Sequence, residues 1–190
     1  SPTVLVTGND AAIRNGRLTG NGPLTTTGNR TSLSSLSIEG GTEGLILGGI
    51  QEDGSDRYPV GGGSRLHDSR IVCSTCVPVT IQSPGVIVER NSIRGRNAGI
   101  DIVDLFNPDD INWGVRIANN GISCVFGPCL DLKMPGNEVL DNRIAYGEQG
   151  DPNPRVLIQG YRNRIADNGF WGNPSSAPFH NVAIHVTGRR

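Results

Sequence analysis

The 190-residue sequence predicts an all-β solenoid of stacked coils with no significant helix, and three observations lead to this fold class. Residues that favour turns are abundant, with 27 Gly, 17 Asn and 12 Pro. No window of the chain places apolar residues at helical spacing. A short apolar pattern also recurs along the chain with a step of about 21 residues, which is typical of a solenoid repeat.

The repeat is visible from the beginning of the chain, where Thr7-Gly8-Asn9 recurs as Thr27-Gly28-Asn29. Later copies keep an apolar residue, a four-residue polar bend and a second apolar residue, as in residues 66–71. Four steps between the closing apolar residues span 20 to 22 residues, and two steps of 33 and 29 indicate insertions. The closing positions are Leu18, Ile38, Ile71, Ile93, Ile122, Ile144 and Ile165.

A second series of short alternating segments lies between these units, so that the sequence predicts two strands per repeat. A unit of this size cannot bury its apolar side alone, and the repeats must therefore stack coil on coil. The predicted strands of the second series are residues 45–47, 79–81, 100–102, 130–132, 156–158 and 182–184.

With these coils, the chain resembles the right-handed parallel β-helix proteins of the pectin-lyase-like superfamily. Their coils have this length and often carry Asn-x-Ile steps like Asn91-Ser-Ile93. The resemblance implies one right-handed parallel β-helix domain of about seven coils over residues 1–190. Leucine-rich repeats fit less well, because Ile and Val fill most positions and no helix follows a strand. Left-handed β-helices need steps of about 18 residues.

Stacking places equivalent residues of successive coils about 4.8 Å apart. We expect Asn91, Asn120, Asn142 and Asn163 to form a structural ladder at a tight bend, where each amide both accepts and donates hydrogen bonds. A predicted surface loop near the end of the chain carries the aromatic residues Phe170, Trp171 and Phe179. They could either cap the open end of the solenoid or stack on the rings of a bound sugar.

The charge balance, 17 Lys and Arg against 18 Asp and Glu, predicts no nucleic-acid partner. No apolar run is long enough to span a membrane. Four cysteines occur in two local pairs, and we expect the disulfides Cys73–Cys76 and Cys124–Cys129 of an exported protein. A zinc site formed by the four thiolates is the alternative, although the pairs lie in non-adjacent coils.

Two predicted strands provide the main chemical signal. In Ile100-Asp101-Ile102 and Leu130-Asp131-Leu132 the apolar residues point inward, so the two Asp side chains face outward on consecutive coils. Lys133 lies on the same face. Asp101, Asp131 and Lys133 are therefore the candidate catalytic residues. The insertion after Ile102 supplies the candidate substrate-binding residues, which are Asp104, Asp109, Asp110 and Trp113.

These residue types suit chemistry on a polysaccharide. Two carboxylates can serve a glycoside hydrolase, whereas a lyase would use carboxylates to hold Ca²⁺ and a Lys or Arg as the base. We expect either no cofactor or a bound Ca²⁺, and no other metal can be assigned. The leading hypothesis is an extracellular protein that binds an acidic polysaccharide. If the protein is an enzyme, it cleaves this polysaccharide as a lyase or as a glycoside hydrolase.

The alternative is a non-catalytic structural, adhesin or tail-fibre module. In either case we expect it outside the cell or on a cell or virion surface. Because an open solenoid exposes strand edges, its ends need cover from a second copy or from attached domains, and the chain suits a segment of a longer protein. The group of His67, Asp68 and Arg70 is interpreted as a solvated face.

Overall fold

In a computed structural model, the chain forms a parallel β-helix. The structure describes residues 4–21, 24–53, 56–103, 113–146, 156–171 and 184–187. Within these ranges no residue is helical, and no helix has the length and apolarity that crossing a membrane requires.

Three parallel sheets run along the solenoid, and each coil adds one strand to each sheet. Sheet A consists of β1 (Val4–Val6), β4 (Leu24–Thr26), β7 (Leu45–Leu47), β12 (Val79–Ile81), β15 (Ile100–Ile102), β18 (Leu130–Leu132), β21 (Val156–Ile158) and β24 (Ile184–Val186).

Sheet B follows in each coil and consists of β2 (Ala12–Arg14), β5 (Ser32–Ser34), β10 (Arg65–His67), β13 (Ile87–Glu89), β16 (Arg116–Ala118), β19 (Glu138–Leu140) and β22 (Arg164–Ala166). Sheet C completes the coil with β3 (Arg17–Gly20), β6 (Ser37–Gly40), β11 (Arg70–Cys73), β14 (Ser92–Gly95), β17 (Gly121–Cys124), β20 (Arg143–Tyr146) and β23 (Gly169–Trp171).

The solenoid of about seven coils is confirmed, but the prediction of two strands per repeat is wrong. The unit of two apolar residues around a polar bend, such as residues 66–71, contains two strands, one in sheet B and one in sheet C. A four-residue bend looks like one turn in the sequence, because a single apolar residue on either side of it shows no alternation by which a strand could be recognised.

In the last coil, the strands of sheets B and C lie at later positions in the sequence than the repeat pattern predicts. Ile165 pairs with Val139 in sheet B, and Phe170 pairs with Ile144 in sheet C. The closing position of this coil is therefore Phe170 rather than Ile165. In the next turn, Ile184 pairs with Val156, so that β24 begins at Ile184, where the predicted strand 182–184 ends.

The bend between sheets B and C has the same backbone form in all seven coils. One residue in each bend adopts a left-handed conformation with φ between 51° and 57°, and none of these residues is glycine. Asn and Asp tolerate this conformation better than most residues and occupy five of the seven positions. The residues are Asn15, Ser35, Asp68, Arg90, Asn119, Asp141 and Asp167.

An asparagine ladder follows this bend inside the solenoid. The side-chain amide of Asn91 donates to Oδ1 of Asn120 (3.1 Å), and the same bond joins Asn120 to Asn142 and Asn142 to Asn168 (both 3.0 Å). The prediction that Asn163 is the fourth member is wrong, because the displaced last coil places Asn168 there. Asn163 instead accepts a bond from Asn137 (2.9 Å) in the bend between sheets A and B.

The core is a continuous column of Leu, Ile and Val side chains that point inward from all three sheets. An antiparallel hairpin of β8 (Gly49–Asp53) and β9 (Asp56–Val60) interrupts the third coil between sheets A and B. The larger predicted step at this coil therefore corresponds to a folded hairpin.

Candidate functional site

The candidate site lies on the outer face of sheet A, where Asp101 and Asp131 are paired across β15 and β18. Their neighbours, Ile100, Ile102, Leu130 and Leu132, are all fully buried. This alternation of buried and outward residues fixes both carboxylates on the outer face, as the sequence pattern predicts.

Lys133 joins the two carboxylates. Its Nζ lies 2.5 Å from Oδ1 of Asp101 and 3.3 Å from Oδ2 of Asp131. The three side chains are only partly accessible, with 26% of Lys133, 22% of Asp101 and 15% of Asp131 exposed. The structure therefore brings the three candidate catalytic residues into one half-buried cluster.

Gln159 completes this cluster from the next coil. Its Nε2 donates to Oδ1 of Asp131 (2.8 Å), and its backbone N–H donates to the carbonyl of Leu132 (2.9 Å). Sequence reasoning missed Gln159. Its position just after β21, equivalent to that of Lys133 after β18, is the signal that could have identified it. The four residues are called the sheet A cluster below.

Burial and charge shift the proton affinities of this cluster. Burial raises the pKa of Asp101, although the bond from Lys133 opposes this effect and the charge of Asp131 adds to it. Burial alone would lower the pKa of Lys133, but the hydrogen bond to Asp101 and the two negative charges raise it overall. Lys133 is therefore held as an ammonium ion, which opposes a role as general base.

Trp113 does not belong to this face, and its burial does not support the predicted substrate-binding role. The side chain is fully buried in the hydrophobic core, and its Nε1 has no hydrogen-bond partner among the residues that the structure describes. Because a side chain without accessible surface cannot line an outer site, Trp113 acts in packing. Asp104, Asp109 and Asp110 lie outside the described residues.

The cysteines are joined as the local pairs expected from the sequence, Cys73 to Cys76 and Cys124 to Cys129, with Cα atoms 5.4 and 5.3 Å apart. No thiolate is left for the alternative zinc site. Nor does any group of three or more His, Cys, Asp or Glu side chains in the described ranges offer a metal site. Ca²⁺ binding stays a prediction.

A shallow groove of about 730 Å³ follows the bends between sheets B and C, away from the sheet A cluster. Its charged wall is an ion-pair network. Asp68 accepts two bonds from Arg90 (2.8 and 2.9 Å) and lies 2.7 Å from Nδ1 of His67. These contacts lower the pKa of Asp68 well below its usual range. Small polar residues, among them Ser37 and Ser92, also line the groove.

Comparison with known proteins adds no family to these observations. A scan against protein-family models gives no match, and searches of curated proteins and of solved structures give none either. The class of the protein is thus defined by its architecture, a parallel β-helix that carries a half-buried cluster of two aspartates and a lysine on the outer face of sheet A.

Proposed function

We propose that the protein is an extracellular or surface-displayed β-helix of the pectin-lyase-like type that binds a polysaccharide along sheet A. The sheet A cluster is the observation that carries this proposal. Its charged side chains are partly buried and fixed by mutual bonds, so that a ligand would pay little ordering entropy. The two local disulfides support an oxidising location.

The individual groups offer complementary contacts to sugar hydroxyls. An ammonium ion has three N–H donors, and Lys133 uses two of them on Asp101 and Asp131, which leaves one for a ligand. The carboxylates have further lone pairs to accept hydroxyl protons. Gln159 fixes Asp131 from the opposite side. The net charge of this cluster is −1, so sheet A favours a hydroxyl-rich segment over a strongly anionic one.

Hydrolysis of a glycosidic bond is the second candidate function, and the raised pKa of Asp101 favours it. A buried carboxylic acid beside a second carboxylate is the pair that glycoside hydrolysis uses, with one group as proton donor. Elimination by a lyase would need a neutral base, and Lys133 is instead stabilised as the ammonium ion. We therefore favour hydrolysis over elimination.

The competing hypothesis is a non-catalytic spacer, adhesin or tail-fibre module. On this hypothesis, Lys133 serves only to neutralise two aspartates that stacking brings together. The two hypotheses differ in whether the cluster has a ligand.

Binding tests separate them. A panel of neutral and acidic polysaccharides is titrated by calorimetry against the wild type and the variants Asp131→Asn and Gln159→Ala. We expect each variant to weaken binding at least about fivefold, because a hydrogen bond to a charged group is lost. Asp141→Asn is the matched control, since Asp141 is exposed in the bend between sheets B and C.

The proposal of a ligand on sheet A fails if no polymer of the panel binds, or if Asp141→Asn weakens binding as much as Asp131→Asn. Hydrolysis is tested with the same panel by the appearance of new reducing ends. Asp101→Asn should abolish them while leaving binding measurable. Unsaturated products would instead indicate elimination.

A further inference from the structure

The outer face of sheet C carries excess positive charge that the overall balance of the sequence conceals. Its outward strand residues include four arginines and one glutamate. Glu39 is shared by Arg17 (3.2 Å) and Arg70 (3.1 Å). The remaining two, Arg94 and Arg143, are exposed and have no acidic partner among the described residues.

Arg143 is positioned by Trp171. Its guanidinium carbon lies 4.4 Å from the centroid of the indole ring, which is a cation–π contact. The ring lies over Gly169 of its own strand. A Cβ added to Gly169 would be only 3.1 Å from Nε1 of Trp171, which shows how close the ring is to the backbone. Trp171 nevertheless keeps 55% of its surface exposed. The contact orders the guanidinium and leaves its N–H groups free for an acceptor.

Arg94 lies on the same face two strands away. The strand between them is β17, whose outward residues, Gly121 and Ser123, are small. A Cβ added to Gly121 would meet nothing within 4 Å. Two strand spacings and an offset of two residues along the strand place the Cα atoms of Arg94 and Arg143 about 12 Å apart across open surface. A ligand that bridges the two arginines therefore needs no displacement of protein atoms.

We propose that Arg94, Arg143 and Trp171 form a binding site for an acidic polysaccharide on sheet C, separate from the sheet A cluster. Each guanidinium binds a carboxylate or sulfate group in a bidentate manner, and the exposed indole surface packs against a sugar ring. The ligand crosses the strands obliquely, because the two arginines are separated by two strands and also by two residues along the strand direction.

A polysaccharide fits this surface better than a nucleic acid does. Single-stranded nucleic acids bind surfaces with several aromatic platforms, whereas Trp171 is the one aromatic side chain on the described outer face of sheet C. Duplex binding rests on many phosphate contacts, and the described part of this face offers two arginines without an acidic partner, in a chain of net charge −1.

The test is a titration of the whole chain with polygalacturonate fragments, followed by tryptophan fluorescence and by calorimetry. The chain has two tryptophans, and only Trp171 is exposed, so a change in fluorescence or in acrylamide quenching reports on this site. We expect the double variant Arg94→Gln/Arg143→Gln to weaken binding at least about tenfold, because two charge-assisted contacts are lost. Trp171→Ala should weaken it by a smaller factor.

Arg116→Gln is the matched control, since Arg116 is an exposed outward arginine of sheet B that pairs with Glu138 (3.3 Å). It should change the affinity less than about twofold. Circular dichroism verifies that all variants fold. Dextran and oligothymidylate serve as the neutral and nucleic-acid probes, and both should bind more weakly than polygalacturonate.

The inference is overturned if the double variant binds polygalacturonate like the wild type, or if Arg116→Gln loses as much affinity. Equal binding of dextran would remove the role of charge, and tighter binding of oligothymidylate would assign the surface to nucleic acid. Failure of this site is distinguishable from failure on sheet A, because Asp131→Asn changes a different face.

Discussion

A single ammonium ion determines the electrostatics of sheet A. Lys133 is the sole lysine of the 190 residues and contacts both Asp101 and Asp131. Two aspartates at opposing positions of neighbouring strands would otherwise repel each other. The sequence predicted this trio, since strict alternation in three-residue strands fixes which side chains face outward. It could not predict the inward position of Trp113, because no periodic pattern surrounds that residue.

Acid should change the contributions of Asp101 and Asp68 to folding stability in opposite directions. Burial raises the pKa of Asp101, so its contribution to stability is present below pH 3.8 and is lost as the pH rises through the folded-state pKa. Bonds from Arg90 and His67 lower the pKa of Asp68, so its contribution is present above pH 3.8 and is lost as the pH falls.

As the pH falls from about 5 to 3, Asp101→Asn should therefore lose stability relative to the wild type, whereas Asp68→Asn should approach it. Asn tolerates the left-handed conformation of residue 68. Urea unfolding at a series of pH values measures both differences. Differences that do not depend on pH would contradict the assigned shifts.

The bend between sheets B and C is the most regular element of the molecule. Each ladder asparagine also binds carbonyls in its own and the preceding coil, as Asn120 does with Ala118 (3.0 Å) and Val88 (2.9 Å). The Asn-x-Ile pattern predicted this element for three of its four members. It failed at Asn163, because an insertion lengthens the last step to 26 residues and places another asparagine in the ladder.

Replacing a central ladder residue should be costly. Asn120→Ala removes the acceptor of the backbone N–H of Asn91 and the side-chain bonds to the carbonyls of Val88 and Ala118, and we expect it to lower the free energy of unfolding by at least about 2 kcal/mol. Asn97→Ala, at an exposed asparagine outside the ladder, is the control. Chemical denaturation compares the two variants, and equal losses would show that the ladder adds no particular stability.

At the scale of the whole molecule, stacking makes stability depend on the position of a coil. Ile117 is fully buried between neighbouring coils, whereas Ile13 occupies the same column of sheet B in the first coil and is only partly buried. The repeat pattern alone predicted the solenoid. It could not predict the different charges of the outer faces of sheets A and C, since these depend on which outward residues stacking brings together.

The two isoleucines provide a matched comparison. Ile117→Ala should lower the free energy of unfolding by about 2–5 kcal/mol, because it leaves a cavity in the closed core. Ile13→Ala should cost less than half as much, since solvent already reaches this end of the column. Urea denaturation of both variants gives the two values. Equal costs would mean that the first coil is as well covered as the central ones.

The asparagine ladder also gives the rod a natural unit of length. Asn91, Asn120 and Asn142 make the same set of contacts with the coil before and the coil after. A duplicated or deleted coil would therefore restore every one of these bonds at the new junction and change the rod by about 4.8 Å. A change of part of a coil would shift inward residues to the outside. Adding or removing whole coils therefore changes the length of the rod and leaves the packing of its core unchanged.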